Sequence, residues 1–417
     1  MNEKKQKEIK KKKMLSLEKD VLEVDFQEKK IKNDSRTTRV IAWWNGLTQK
    51  KKIVYLSFVV LSVFALIVFS SLLFKAFGLG KWDKESPVDH QPVSVLESNE
   101  EKVEPKNYES PLTGKLVTKT VYDQIVQKRP LAIVVENHID ARPQSGLNEA
   151  DIVWEALAEG GISRFMPIYL ENQPDKVGPV RSLRKYYLDW VSELRDGLVM
   201  HIAYAHTDNP ETNALGYIYI YDIKSLSLFA PQSFWREKKR DAPHNAYSST
   251  QVLWQRAEDK NWIGIVDLQK WQFKEDQKQE SRGDVSKISY NWQGEVKTDY
   301  SAEWDFDSKN NHYLRTHNGK LHIDEDTKDQ IFARNLVLQI VPARYTIDTD
   351  GKSRLIYDLI GEGEVYVLLD GDKIEGKWKK ADRISRTKYF NSEDKEIKFN
   401  RGRTWIAVLP SGSKWSF

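Results

Sequence analysis

Residues 53–74 read IVYLSFVVLSVFALIVFSSLLF, 22 positions without one Asp, Glu, Lys, Arg, Asn, Gln, Gly or Pro. As a helix rising about 1.5 Å per residue, the run spans roughly 33 Å, enough for a hydrocarbon core of about 30 Å. Its polar atoms belong to four Ser and one Tyr, and a helical Ser hydroxyl can bond a backbone carbonyl of the preceding turn. A core helix of a globular domain would keep a polar stripe, which this run lacks. The sequence therefore predicts one transmembrane helix, residues 53–77. It is an uncleaved signal-anchor rather than a signal peptide, whose apolar region would be shorter and followed by a small-residue cleavage site.

Charge sets the expected orientation. Residues 1–52 carry 14 Lys and 2 Arg against 8 acidic side chains, a net of +8, with Lys50, Lys51 and Lys52 against the apolar run. Residues 80–110 carry 8 acidic and 4 basic side chains, a net of −4. Basic flanks stay on the cytoplasmic side, which leaves the C-terminal part extracellular. The tail (1–52) is expected to be largely disordered and drawn to anionic lipid, with no nucleic-acid role. The Pro-, Glu-, Asp- and Ser-rich stretch 78–110 reads as a solvated linker. The chain has no Cys, which excludes disulfides, thiolate metal sites and a cysteine nucleophile.

Beyond the linker the pattern predicts two domains. Residues 111–259 mix short apolar strands (131–135, 151–156, 165–170, 198–204) with a helix at 184–194, an α/β arrangement. Pro167 marks the third of these strands as an edge. After a connector, 260–284, residues 285–417 read as many short strands with hairpin turns at Asn318-Gly319 and Asp370-Gly371, an antiparallel all-β domain. His312, His317 and His322 fall on or beside the first hairpin, as polar groups of an exposed ribbon rather than metal ligands.

Several motifs, in one order, resemble the YerB-like family of Gram-positive bacteria: Glu136-Asn137-His138, Ala141-Arg142-Pro143-Gln144-Ser145-Gly146, Glu159-Gly160-Gly161, Gly178-Pro179-Val180-Arg181-Ser182, Ala242-Pro243-His244-Asn245 and Asn318-Gly319-Lys320-Leu321-His322. The resemblance covers roughly residues 111–417. It implies an exported, envelope-associated protein with an α/β and a β-rich part, and brings no established activity. Many members look like lipoproteins held by a lipidated Cys; here the apolar run takes that place.

Charged residues in apolar or Gly-rich settings mark the expected site. Glu136 closes a strand, Glu155 interrupts one, and Arg164 precedes another. Arg181 and Arg184 follow Gly178-Pro179 near a helix start, where backbone N–H groups favour an anion. A cleft gathering Glu136, Asn137, Arg142, Glu155, Glu159, Arg164, Arg181, Arg184, His244 and Asn245 would bind a polar ligand; the same residues could equally form a buried ion-pair network. Two carboxylates such as Glu136 and Glu155 could cut a glycosidic bond if they flanked it, with His244 as a base. No nucleophile elbow, P-loop or zinc-protease motif accompanies them. The sequence thus points to a non-catalytic binding or regulatory factor acting on cell-wall assembly or turnover, with an envelope protein or wall polymer as partner and no cofactor or metal. The alternative is a cell-wall glycan or peptide hydrolase using the carboxylate and His cleft.

Overall fold

The computed structural model describes residues 104–417 apart from 231, 293–299 and 349–350. The basic tail, the apolar run and most of the linker lie outside the described residues; among the described residues, no helix is long and apolar enough to cross a membrane.

The first half supplies β1 (Leu131–Ile133), β2 (Val135–Glu136), β3 (Ile152–Leu157), β4 (Ser163–Tyr169), β5 (Leu198–Met200) and β6 (Lys224–Ser225). It also supplies helices α1 (Lys185–Glu193) and α2 (Thr250–Asp259). The second half begins with β7 (Lys287–Asn291), β8 (Ala302–Asp307), β9 (His312–His317), β10 (Lys320–Leu321), β11 (Phe332–Ala333) and β12 (Asn335–Val341). It continues with β13 (Ala343–Ile347), β14 (Ser353–Tyr357), β15 (Gly361–Leu369), β16 (Asp372–Lys380), β17 (Lys388–Asn391), β18 (Thr404–Pro410) and β19 (Lys414–Ser416).

The mixed α/β and β-rich regions are both present, but they are not separate cores. One 11-stranded sheet runs β17-β16-β15-β12-β18-β3-β4-β1-β5-β6, with β2 also on β4. Strand β18 lies between the halves and is parallel to both neighbours, Asn335 opposite Thr404 on one side and Ile152 opposite Thr404 on the other. Its residues TWIAVLP are all buried, the unbroken apolar run of a parallel strand covered on both faces. The expectation of an independent, wholly antiparallel β domain is corrected accordingly. Local periodicity identifies β18 as a strand but carries no information about its partner some 250 positions away.

Alternation along β3 builds the layers. Trp154 points to α1, where it stacks on Trp190 with ring planes 7° apart and centroids 5.9 Å apart. Glu155, the next residue, points to the opposite face. There β18 packs on a six-stranded antiparallel sheet, β10-β9-β8-β7-β19 with β11 on β9, through Trp405 edge-on to Trp304. Such ring pairs add about 0.5–1.5 kcal/mol beyond their area burial.

The hairpins form as predicted. Thr316 faces Leu321 and His317 faces Lys320 across Asn318-Gly319, and Leu369 faces Asp372 across Asp370-Gly371. All four turn residues have positive φ. Pro167, expected on an edge, lies inside the sheet with β3 on one side and β1 and β2 on the other. It sits opposite the break between β1 and β2, where the Val134 N–H turns away to Met200 O. The ladder asks for no donor there.

Candidate functional site

Three loops converge at the end of β2. The Glu136 N–H donates to Pro179 O at 2.9 Å, the Arg181 N–H to Val134 O at 2.7 Å, and the Val180 N–H to Ala246 O at 2.6 Å. Residues 178–182 are thereby held between β2 and the loop carrying His244. The cis peptide bonds Arg142–Pro143, Gly178–Pro179 and Ala242–Pro243 lie one in each loop.

Glu136 organises the corner. Its Oε1 lies 2.9 Å from Arg181 Nε and its Oε2 3.0 Å from His244 Nδ1. The Arg181 contact is a close ion pair without the alignment of a hydrogen bond. Among the described residues, no side-chain hydrogen bond engages its Nη groups. His244 stacks on His138, centroids 4.7 Å apart and planes inclined by 21°. The glutamate itself is buried, whereas His138 and Arg181 keep 31% and 28% of their side chains exposed, which makes these two the accessible front.

The other carboxylate of the expected pair lies elsewhere. Glu136 is opposite Arg164 in the ladder and Glu155 is opposite Phe165, so the two acids project from opposite faces of the sheet. Glu155 is fully buried. Arg315 Nη2 reaches its two oxygens at 2.9 and 3.0 Å, and Ser163 Oγ, Tyr290 OH and Trp405 Nε1 donate at 2.9, 2.7 and 3.1 Å. A closed ring of hydrogen bonds results. Asn137 donates to Ser163, Arg315 donates to His322, His322 Nε2 meets Gln144 Oε1 at 2.8 Å, and Gln144 donates to Asn137. Arg142, bonded to Asn137 Oδ1 at 3.1 Å, joins from the side. Phe165, Trp304 and Trp405 surround the Arg315 guanidinium with ring centroids 5.0–5.6 Å away.

His317 and His322 are buried in this network, not displayed on an exposed ribbon. Burial first, and Arg315 second, hold both imidazoles neutral, well below the usual histidine range. The partners assign the tautomers: His317 donates from Nδ1 to Ser301 O, and His322 donates from Nε2. Burial likewise brings His201 down to about 4. Stability from such groups is complete above the unfolded value of about 6.5 and is lost as pH falls below it, since the unfolded chain takes up the protons. Asp151 opposes them. Burial, with Glu171 beside it, pushes its carboxyl up to about 7, so its contribution is greatest at acid pH and disappears as pH rises through 7. The histidines outnumber it, and the urea midpoint should fall between pH 7.5 and 5.5. His322→Gln should flatten that fall; an unchanged slope would remove His322 from the account.

A second cluster adjoins the corner. Glu159 binds Arg164 Nη2 at 3.2 Å, Arg184 Nη2 at 2.8 Å and Arg354 Nη1 at 3.3 Å. Burial raises the Glu159 pKa, but Arg184 and Arg164 outweigh it and bring the carboxyl down to about 2. Glu159 is a fixed anion that ties the loop after β3 to β14. Asn245 also holds structure, accepting from Arg236 at 2.7 Å and donating to Glu237 O at 2.9 Å. The ten expected residues thus divide between the open Glu136–Arg181–His244 corner, the buried Glu155 ring with Asn137 and Arg142, the Glu159 cluster, and a loop brace. Sequence reasoning missed Arg315, Gln144 and Arg354 as partners and His138 as a corner residue. The quoted motifs contain Gln144 and His138, and their convergence was the available signal.

Residues 112–263 match the family domain described as "Protein of unknown function (DUF3048) N-terminal domain", and residues 291–406 match its C-terminal counterpart. A Bacillus subtilis protein described as "Putative lipoprotein YerB" is 33% identical over 313 residues, 73% of this chain and 87% of the relative. This chain belongs to the DUF3048, or YerB-like, family. The crystal structure of the Bacillus subtilis YerB protein aligns with a TM-score of 0.62 at 29% identity, over 74% of this chain and all of that one. Both family domains contribute strands to the central sheet here, so the boundary between them is one of sequence and not of folding.

Proposed function

We propose that this DUF3048 chain is a membrane-anchored envelope protein. Residues 53–74 hold it in the membrane, and its body stands outside to bind a partner protein or wall component in cell-wall assembly or turnover, without catalysis. The apolar run, the lysines before it and the lipoprotein description of the relative support the placement. The Glu136–Arg181–His244 corner is the binding site, with the Arg181 Nη groups meeting an acceptor on the ligand. One observation carries this reading over the hydrolase: Glu136 and Glu155 project from opposite faces, and Glu155 is sealed by Arg315. Two acids so placed do not flank one glycosidic bond.

A photo-crosslinker at Ile139, which is 52% exposed beside the corner, should capture the ligand in living cells. Arg181→Ala should reduce that capture by about tenfold or more, the loss of a charge-assisted hydrogen bond. Undiminished capture by folded Arg181→Ala would move the binding site elsewhere.

A further inference from the structure

His138, Asp140 and His244 each bring one donor atom to within 4.8 Å of the other two. His138 Nδ1 and Asp140 Oδ2 stand 3.3 Å apart. Two donors on a tetrahedral ion at about 2.0–2.1 Å are separated by about 3.3 Å, so this pair has a chelating spacing. His138 Nδ1 also accepts from the Asp140 N–H at 3.3 Å, a bond that the ion would replace. His244 is prepared from behind. Its Nδ1 faces Glu136 Oε2 at 3.0 Å, which places the proton on Nδ1 and leaves Nε2 as a lone-pair donor. A carboxylate behind the imidazole is the usual support of a metal-bound histidine, fixing its orientation and raising its basicity. The backbone bonds that lock residues 178–182 between β2, which leads into His138, and the loop carrying His244 tie the two His-bearing segments to one frame.

We propose that His138, Asp140 and His244 form a divalent transition-metal site, with Glu136 as the supporting carboxylate and a coordination position open to solvent or ligand. Two imidazoles and one carboxylate favour zinc over calcium or magnesium, which prefer all-oxygen sites. Asp140 and Glu136 supply the negative charge that offsets the ion and the neighbouring Arg181. The inference rests on the corner being the ligand site and names the ion that would complete it.

The test uses the full chain in detergent, free of affinity tag and stripped of metal, titrated with Co(II). The chain holds no Cys, so thiolate binding does not obscure the result. Wild type should take up one equivalent and develop visible ligand-field absorption. Glu136→Gln should weaken uptake about 10–100-fold, and His138→Ala or His244→Ala by more. Asp140 is largely exposed, so Asp140→Asn should leave the fold intact and still weaken uptake about tenfold or more, keeping the test decisive if a His variant misfolds. No stoichiometric uptake by wild type, or wild-type affinity in Asp140→Asn and His138→Ala, would overturn the site. Failed uptake with capture still dependent on Arg181 rejects the metal alone; sound uptake with capture indifferent to Arg181 rejects the ligand reading alone.

Discussion

Arg315→Met should lower the stability of the body by about 3–5 kcal/mol, because it leaves the Glu155 carboxylate buried without its countercharge. Both side chains are fully buried and joined by two hydrogen bonds. The aromatic rings around Arg315 would accept a Met side chain, so the loss reports on the stranded carboxylate and on the bonds to His317 and His322 rather than on shape. Adding Glu155→Leu to Arg315→Met should restore only part of the lost stability. It removes the stranded charge, but leaves the Ser163, Tyr290 and Trp405 donors and the His317 and His322 acceptors without their partners. Urea denaturation of the full chain followed by Trp fluorescence measures the cycle. If the single and double variants fell by the same amount, the pair would not be the interaction that matters.

Glu193→Leu should have an effect of similar size, about 3–5 kcal/mol, for the opposite reason: it strands two buried cations. Glu193, at the end of α1, holds Lys380 Nζ at 2.8 Å and Arg386 Nη1 at 2.7 Å, and Thr387 Oγ1 donates to it at 2.7 Å. Burial raises its pKa, but Lys380 and Arg386 outweigh that and lower it overall. Its contribution is therefore present above the ordinary carboxylate value and fades as pH falls through and below that value. The contact joins the first half of the chain to the last. Its loss should destabilise both halves in one transition, and the appearance of two separate transitions would argue against the shared core.

The strands and their turns were legible because their signals are local. The alternation of β8 and β9, the Asn-Gly and Asp-Gly turns, and the helical spacing of Tyr187, Trp190 and Val191 sit within a few residues of one another. Pairing was not legible. Nothing near Thr404 announces that β18 will lie between Ile152 and Asn335. Arg315 fails for the same reason: in HYLRTH it reads as a surface charge, and only Glu155, 160 positions earlier, makes its burial tolerable. Glu155 conversely resembled a catalytic acid because an acid in an apolar strand needs a partner the sequence does not reveal. The corner was half legible. Glu136, Arg181 and His244 were expected together, whereas His138 entered only when the loops closed on one another.

The absence of cysteine makes the placement of the body directly measurable, since a single introduced thiol reports on its own position. Ser392→Cys puts one on an exposed turn of the body, and Ser16→Cys puts one in the basic tail. A membrane-impermeant maleimide applied to intact cells should label position 392 and spare position 16 until the cells are lysed. Labelling of position 16 with protection of position 392 would place the corner inside the cell and contradict the account.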